Sequence, residues 1–263
     1  AVSKKDPLIF IPHLNHFFVH EKDSSNVKKM KLQVLSSLAS PSNADIILNE
    51  LSKYTGSNNP RFASLSIRTI GDTAYEHRGV IPSAFNVLLR LMSRVSHSDT
   101  LVLNEIVFAL SKLLRLRRGT EDEENALRHL CRKFTILQDP LAKASVLAIV
   151  GESYTKHPDF APQMLRYVAQ KFNEEPPEVK LEALNLAAKL ITANSIPSDQ
   201  VTSEKVQSIN QILEVPFYIL KLCARDPALD VRDRAKFLIA LVESQNEKLK
   251  QNLNSILFYS KEE

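Results

Sequence analysis

Apolar residues recur at helical spacing along nearly the whole of this chain, and the two-residue alternation of a strand is nearly absent. In Val179–Ile191, the apolar positions Val179, Ala183, Leu186, Ala187 and Leu190 leave only a narrow polar stripe of Glu182, Asn185 and Lys189. A helix of that kind is buried on most of its circumference. Leu101–Leu114 reads the same way, with Asn104, Glu105, Ser111 and Lys112 left over. Glu121–Leu137 and Ala161–Phe172 carry broader polar faces and are predicted to lie on an outer layer. Inner and outer helices alternate along the chain.

That alternation repeats. Ile70-Gly71-Asp72-Thr73-Ala74 and Val150-Gly151-Glu152-Ser153-Tyr154 match about 80 positions apart, two periods of roughly 40. A small apolar residue followed by a basic one opens several inner helices: Val27-Lys28, Ala142-Lys143, Val179-Lys180 and Val231-Arg232. Asn59-Pro60, Asp139-Pro140 and Asp226-Pro227 each offer a capping side chain before a proline that lacks an amide donor. Glycine is scarce, with 5 in 263 residues, which argues against phosphate-cradling loops and hairpin-rich sheets. The expected fold is all-α: an α-solenoid of HEAT/armadillo-like helical pairs, about six units long. It is expected to form a single domain over residues 1–263, with a flexible loop near 192–203. Gly71 and Gly151 are expected to mark close helix packing, since glycine inside a helix costs roughly 1 kcal/mol relative to alanine.

Charge and chemistry narrow the function. There are 34 basic and 30 acidic side chains, and the signs alternate rather than forming a basic block, so no nucleic-acid partner is expected. Cys131 and Cys223 stand far apart, which fits a reducing compartment better than a disulfide framework. No apolar run reaches the roughly 18 residues of a membrane span, and Lys4, Lys5 and Leu8–Ile11 do not make a signal peptide. These features suggest a cytoplasmic protein. His13, His16 and His20 have spacings that would converge on one helical face, but the neighbouring Pro12, Phe17 and Phe18 favour a structural anchor over a metal site. No catalytic motif is present, so neither an enzyme nor a cofactor is expected.

Two charge clusters remain. Arg115, Arg117 and Arg118 precede Glu121–Glu124 across Gly119-Thr120, an order that compensates the dipole of one helix end and then of the next start. Asp230, Arg232, Asp233 and Arg234 crowd an otherwise inner helix. They read either as a ladder of ion pairs between repeats or as a docking surface for an acidic partner.

The ordered set of these elements resembles a known family, the beta-type large chains of the adaptor protein complexes of vesicle coats. The resemblance runs from Asp6 to about Val242. In the first half it is carried by His13-Leu14 through Phe18-Val19, Lys31–Leu35 and Ile67–Gly71. Further on come Ala142–Leu147, Ile149–Glu152, Ala161-Pro162 with Leu165-Arg166, and Val179–Leu181. Leu184–Leu186, Ala188–Leu190 and Asp230–Arg234 complete it. Within the family, Ala235-Lys236-Phe237 after the Arg-Asp-Arg element is similar to the type-3 complexes.

The resemblance implies a non-enzymatic coat subunit, here the C-terminal half of a longer trunk. Its partners would be the medium, small and second large subunits. Recruitment to Golgi and endosomal membranes would go through an Arf-type GTPase, and cargo bound for lysosomes or vacuoles would be carried by the whole complex. Lys143, Lys180, Arg232 and Arg234 are the residues expected to line a concave partner-binding surface. The alternative is a HEAT-repeat transport receptor or scaffold with no role in coats.

Overall fold

A computed structural model describes residues 7–95, 99–116, 121–194 and 203–244, in two compact units that divide between His129 and Leu130. Unit one opens with α1 (Pro7–Phe10), which runs into a 3-10 helix, Ile11–Phe17. There follow α2 (Ser25–Leu38), α3 (Ala44–Tyr54), α4 (Pro60–Glu76), α5 (Ile81–Arg94) and α6 (Thr100–Leu116). The division falls within α7 (Glu121–Lys133). Unit two continues with α8 (Pro140–Glu152), α9 (Phe160–Gln170), α10 (Pro177–Asn194), α11 (Ser203–Cys223) and α12 (Leu229–Val242).

Each unit has two layers. In unit one, α4 packs between α2 and α6, while α3 and α5 pack on the other side. In unit two, α10 packs between α8 and α12, backed by α9 and α11. Within each unit, the even-numbered helices form one layer and the odd-numbered ones the other. Among the described residues no strand occurs. The chain is an α-solenoid of helical pairs, and the starts of α4, α6 and α8 at Pro60, Thr100 and Pro140 keep the period of 40 read from the sequence.

Burial follows the periodicity. In α10, Val179, Ala183, Leu184, Leu186, Ala187, Ala188, Leu190 and Ile191 are all buried, so the helix has partners on nearly every side. Each fully buried Leu or Ile contributes about 1.5–3 kcal/mol relative to exposure. The amphipathic α9 instead buries a single stripe of Ala161, Met164, Leu165 and Val168. Gly71 lies mid-way along α4, where a Cβ would meet the Ala109 Cβ of α6 at 3.0 Å. Gly151 sits in the last turn of α8, and its added Cβ would meet only flexible side-chain ends, Leu186 Cδ1 at 3.3 Å and Lys189 Cδ at 3.4 Å.

Asn59 and Asp139 cap α4 and α8 as expected. Asn59 Oδ1 accepts from the amides of Arg61 and Phe62, and Asp139 Oδ1 accepts from Leu141 and Ala142. Asp139→Ala therefore orphans two amide donors, and chemical denaturation is expected to register a loss of about 1 kcal/mol. Asp226 departs from this pattern. Its Oδ1 accepts from the Ala228 amide in the preceding turn, and α12 begins at Leu229 without a side-chain cap. Its other oxygen, Oδ2, accepts from a lysine of α10, described below.

The histidine triplet does not share one helical face. The 3-10 helix ends at Phe17, and the His20 amide donates to Asp23 three residues on. His13 and His16 are exposed, with ring centroids 5.9 Å apart. The segment that follows is anchored by Tyr54, whose hydroxyl accepts from the Val19 amide at 2.8 Å and donates to Glu50 at 2.7 Å. Burial pushes the Glu50 carboxyl up, but hydrogen bonds from Lys53 and Tyr54 outweigh it and hold the group below the usual carboxylate range. The Arg117–Thr120 connection and most of the loop near 192–203 lie outside the described residues, as does the chain beyond Ser244.

Candidate docking face

The even-numbered helices bring residues about one repeat apart into register, and a series of charge pairs follows. In unit one, Arg68 of α4 grips Glu105 of α6 through two parallel bonds, Nε to Oε1 at 2.7 Å and Nη2 to Oε2 at 3.0 Å. One turn on, Lys112 of α6 reaches back to Asp72 of α4 at 2.8 Å and lies 4.2 Å from the centroid of the Tyr75 ring. Thr73 donates to Ser36 of α2 at 3.3 Å. Arg68, Lys112 and Asp72 are solvent-exposed, so each of the two ion pairs contributes at most about 1 kcal/mol.

Unit two uses the same device at greater depth. Lys143 of α8 pairs with Glu175, just ahead of α10, at 2.6 Å. Lys180 of α10 pairs with Asp226, just ahead of α12, at 2.8 Å, with side-chain exposures of 9% and 3%. The Lys180 ammonium also lies 4.8 Å from the Phe172 ring centroid. In each pair, a cation in the first turn of an even helix holds the loop that starts the next even helix. The small-apolar-plus-basic dipeptides Ala142-Lys143 and Val179-Lys180 thus have a structural reason: the apolar residue fills the core and the next one turns toward the neighbouring repeat.

The four expected partner-binding residues divide into two classes. Lys143 and Lys180 are committed to carboxylates within the chain. Arg232 is half-buried and Arg234 exposed, and neither has an ion pair among the described residues. Arg234 Nη2 reaches Asn185 Oδ1 of α10 at 3.5 Å, and its guanidinium carbon lies 5.8 Å from the centroid of Phe237, a ring that is 54% exposed. A ladder of ion pairs is therefore present at Lys143 and Lys180, while the Arg-Asp-Arg element stands clear of it. Arginine beside an exposed aromatic ring is the side-chain chemistry enriched at protein interfaces.

From the sequence, Asp226 reads as a helix cap only, and neither Glu175 nor the Arg68–Glu105 clamp is singled out. Their signal was a basic and an acidic residue separated by about one repeat, 32 to 46 positions here. Cys131 and Cys223 are buried, and burial pushes both thiols up to about 12, which leaves them poor nucleophiles. Among the described residues, no helix is long and apolar enough to cross a membrane.

The sequence pattern of the family described as "Adaptin N terminal region" matches residues 1–246. The mouse protein "AP-3 complex subunit beta-1" is 34% identical over 234 residues, which cover 89% of this chain and 20% of that protein. "AP-3 complex subunit beta" of Dictyostelium discoideum is 31% identical over 278 residues, covering 88% of this chain and 24% of its own length. The counterpart in Schizosaccharomyces pombe is 30% identical over 251 residues, 95% of this chain and 32% of that protein. The chain thus spans about a fifth to a third of these relatives. A chain of the structure titled "Homology model of the full-length AP-3 complex in an intermediate open conformation" superposes with a TM-score of 0.70 at 23% identity. That match covers 92% of this chain and 41% of the other, and it supports the same fold.

Proposed function

Because this chain belongs to the adaptin N-terminal-region family, we propose that it works as a trunk segment of an AP-3-type vesicle-coat adaptor. Its role is mechanical: it holds other subunits in place rather than transforming a substrate. The subunits held are the medium chain, through its N-terminal domain, and the second large chain, with the small chain completing the complex. Through that complex the segment reaches Golgi and endosomal membranes from the cytoplasm, recruited by an Arf-type GTPase. Cargo is delivered to lysosomes or vacuoles. No cofactor enters this role.

One observation supports a docking role for unit two above the others. In its even layer, Lys143 and Lys180 are neutralised internally, while Arg234 is exposed beside Phe237 and Arg232 is half-buried, neither with an ion pair among the described residues. The buried pairs stiffen the repeat, and the Arg232 and Arg234 guanidiniums, not ion-paired among the described residues, carry the affinity for carboxylates of a partner. A transport receptor unrelated to coats is not favoured, because the family match takes in residues 1–246 of the chain.

The test is co-purification with the N-terminal domain of the medium chain. Arg232→Glu with Arg234→Glu is expected to weaken the complex by at least about tenfold, as reversing interface charges does. The melting temperature should move by no more than about 2 °C, since neither arginine closes an ion pair among the described residues. Unchanged association with an unchanged melting temperature sinks the proposal.

A further inference from the structure

In unit one, α2 and α4 lie side by side and run in the same direction. Lys28 near the start of α2 stands 5.4 Å from the centroid of Phe62 near the start of α4, and Ser36 meets Thr73 near their ends. Between them runs an open groove of about 720 Å³, reached by Lys112 from α6. Its α4 wall, from Leu65 to Glu76, is about 16 Å long at the helical rise, or three turns.

The groove is finished except along its top. Its floor hydroxyls are used within the chain: Ser37 donates to the Val34 carbonyl, Thr69 to the Leu65 carbonyl, and Ser36 takes the Thr73 hydroxyl. Arg68 and Lys112 are neutralised by Glu105 and Asp72. What remains open is apolar surface, the exposed amide of Gln33 and two charges. Met30 is 64% exposed and Tyr75 41%, and the Lys112 ammonium over the Tyr75 ring holds that ring in place. Lys29 lies at one end and Glu76 at the other, both exposed and without an ion pair among the described residues. Helical walls offer no free backbone edge, so an occupant must satisfy its own backbone hydrogen bonds.

We infer that this groove docks an amphipathic helix of a partner protein, about three turns long. The helix carries an acidic group at the Lys29 end, a basic group at the Glu76 end, and apolar side chains that cover Met30 and Tyr75. The inference goes beyond the coat reading and does not depend on it, because a synthetic helix reads the groove directly.

Three labelled helical peptides of about 15 residues test it. They share one apolar stripe and differ only at their ends: one acidic and one basic, both acidic, or both basic. By fluorescence anisotropy, the opposite-ended peptide is expected to bind about threefold to tenfold tighter than the other two, the scale of partly exposed charge contacts. Lys29→Glu moves the preference to the peptide with two basic ends, and Glu76→Lys moves it to the one with two acidic ends. Met30→Ser with Tyr75→Ser weakens all three by at least about tenfold. Circular dichroism melting of each variant separates lost binding from lost folding. The Arg232→Glu, Arg234→Glu protein keeps its peptide affinity, so the groove and the coat proposal fail separately. Equal binding of the three peptides, a preference unmoved by either charge reversal, or no binding at about 1 mM overturns the inference.

Discussion

Asp226→Ala is expected to destabilise unit two by about 3–5 kcal/mol, the usual consequence of removing one partner from a buried ion pair. Lys180 would keep its ammonium at a site where its side chain is only 9% exposed, with the Phe172 ring as its remaining attraction. The Ala228 amide would also lose its acceptor. Urea denaturation of the single variant and of Asp226→Ala combined with Lys180→Met measures the pair. The double variant removes the stranded charge and replaces it with a side chain of similar reach. It should therefore be more stable than Asp226→Ala alone, short of wild type by the lost turn bond of about 1 kcal/mol. If the double variant is no better than the single, burial of an unpaired charge is not the cause. The exposed pair Lys112–Asp72 makes a natural control, since Asp72→Ala should lose no more than about 1 kcal/mol.

Gly71→Val is expected to cost about 1–3 kcal/mol through overpacking. A Cβ at this position already meets the Ala109 Cβ at 3.0 Å and its Cα at 3.4 Å, and neither atom moves unless α6 moves with it. The gain of about 1 kcal/mol that a helical glycine normally yields on replacement by alanine is consumed there by the clash. Gly151→Ala should behave in the opposite way. Its new methyl meets Leu186 Cδ1 and Lys189 Cδ, both ends of flexible side chains, and the α8 backbone gains helical preference. Thermal melting of the two variants, with Gly71→Val repeated in an Ala109→Gly background, gives the comparison. Rescue by Ala109→Gly identifies the helix contact as the cause. A Gly71→Val protein as stable as wild type would rule it out.

These two glycines show what a sequence repeat can and cannot say. Their matching surroundings placed both on inner helices at a common period, which the structure bears out. Only the packing shows that both contacts are close, against a Cβ and Cα fixed to the α6 backbone at Gly71 and against side-chain atoms at Gly151. The former abuts an α-carbon across the layer, and the latter sits in a last turn where side chains can yield. Asp226 gives the same lesson from the polar side. Asx-Pro predicts a helix cap, and Asn59 and Asp139 obey it. At Asp226 the carboxylate is shared between the turn, through Oδ1, and Lys180, 46 residues earlier, through Oδ2, a partner that no local pattern announces.

The local information in this sequence was enough to determine helices, their alternation of inner and outer faces, and the spacing of the repeat. Periodicity, caps and glycine scarcity act within a few residues, so they are legible without knowledge of any long-range contact. The tertiary structure alone decided which charges are spent and which are free. Lys143, Lys180, Arg232 and Arg234 look alike in sequence, yet two are locked to carboxylates in the neighbouring repeat and two have no ion pair among the described residues. An ion pair depends on a distance of a few ångströms between residues tens of positions apart, and that distance is set by how the helices stack.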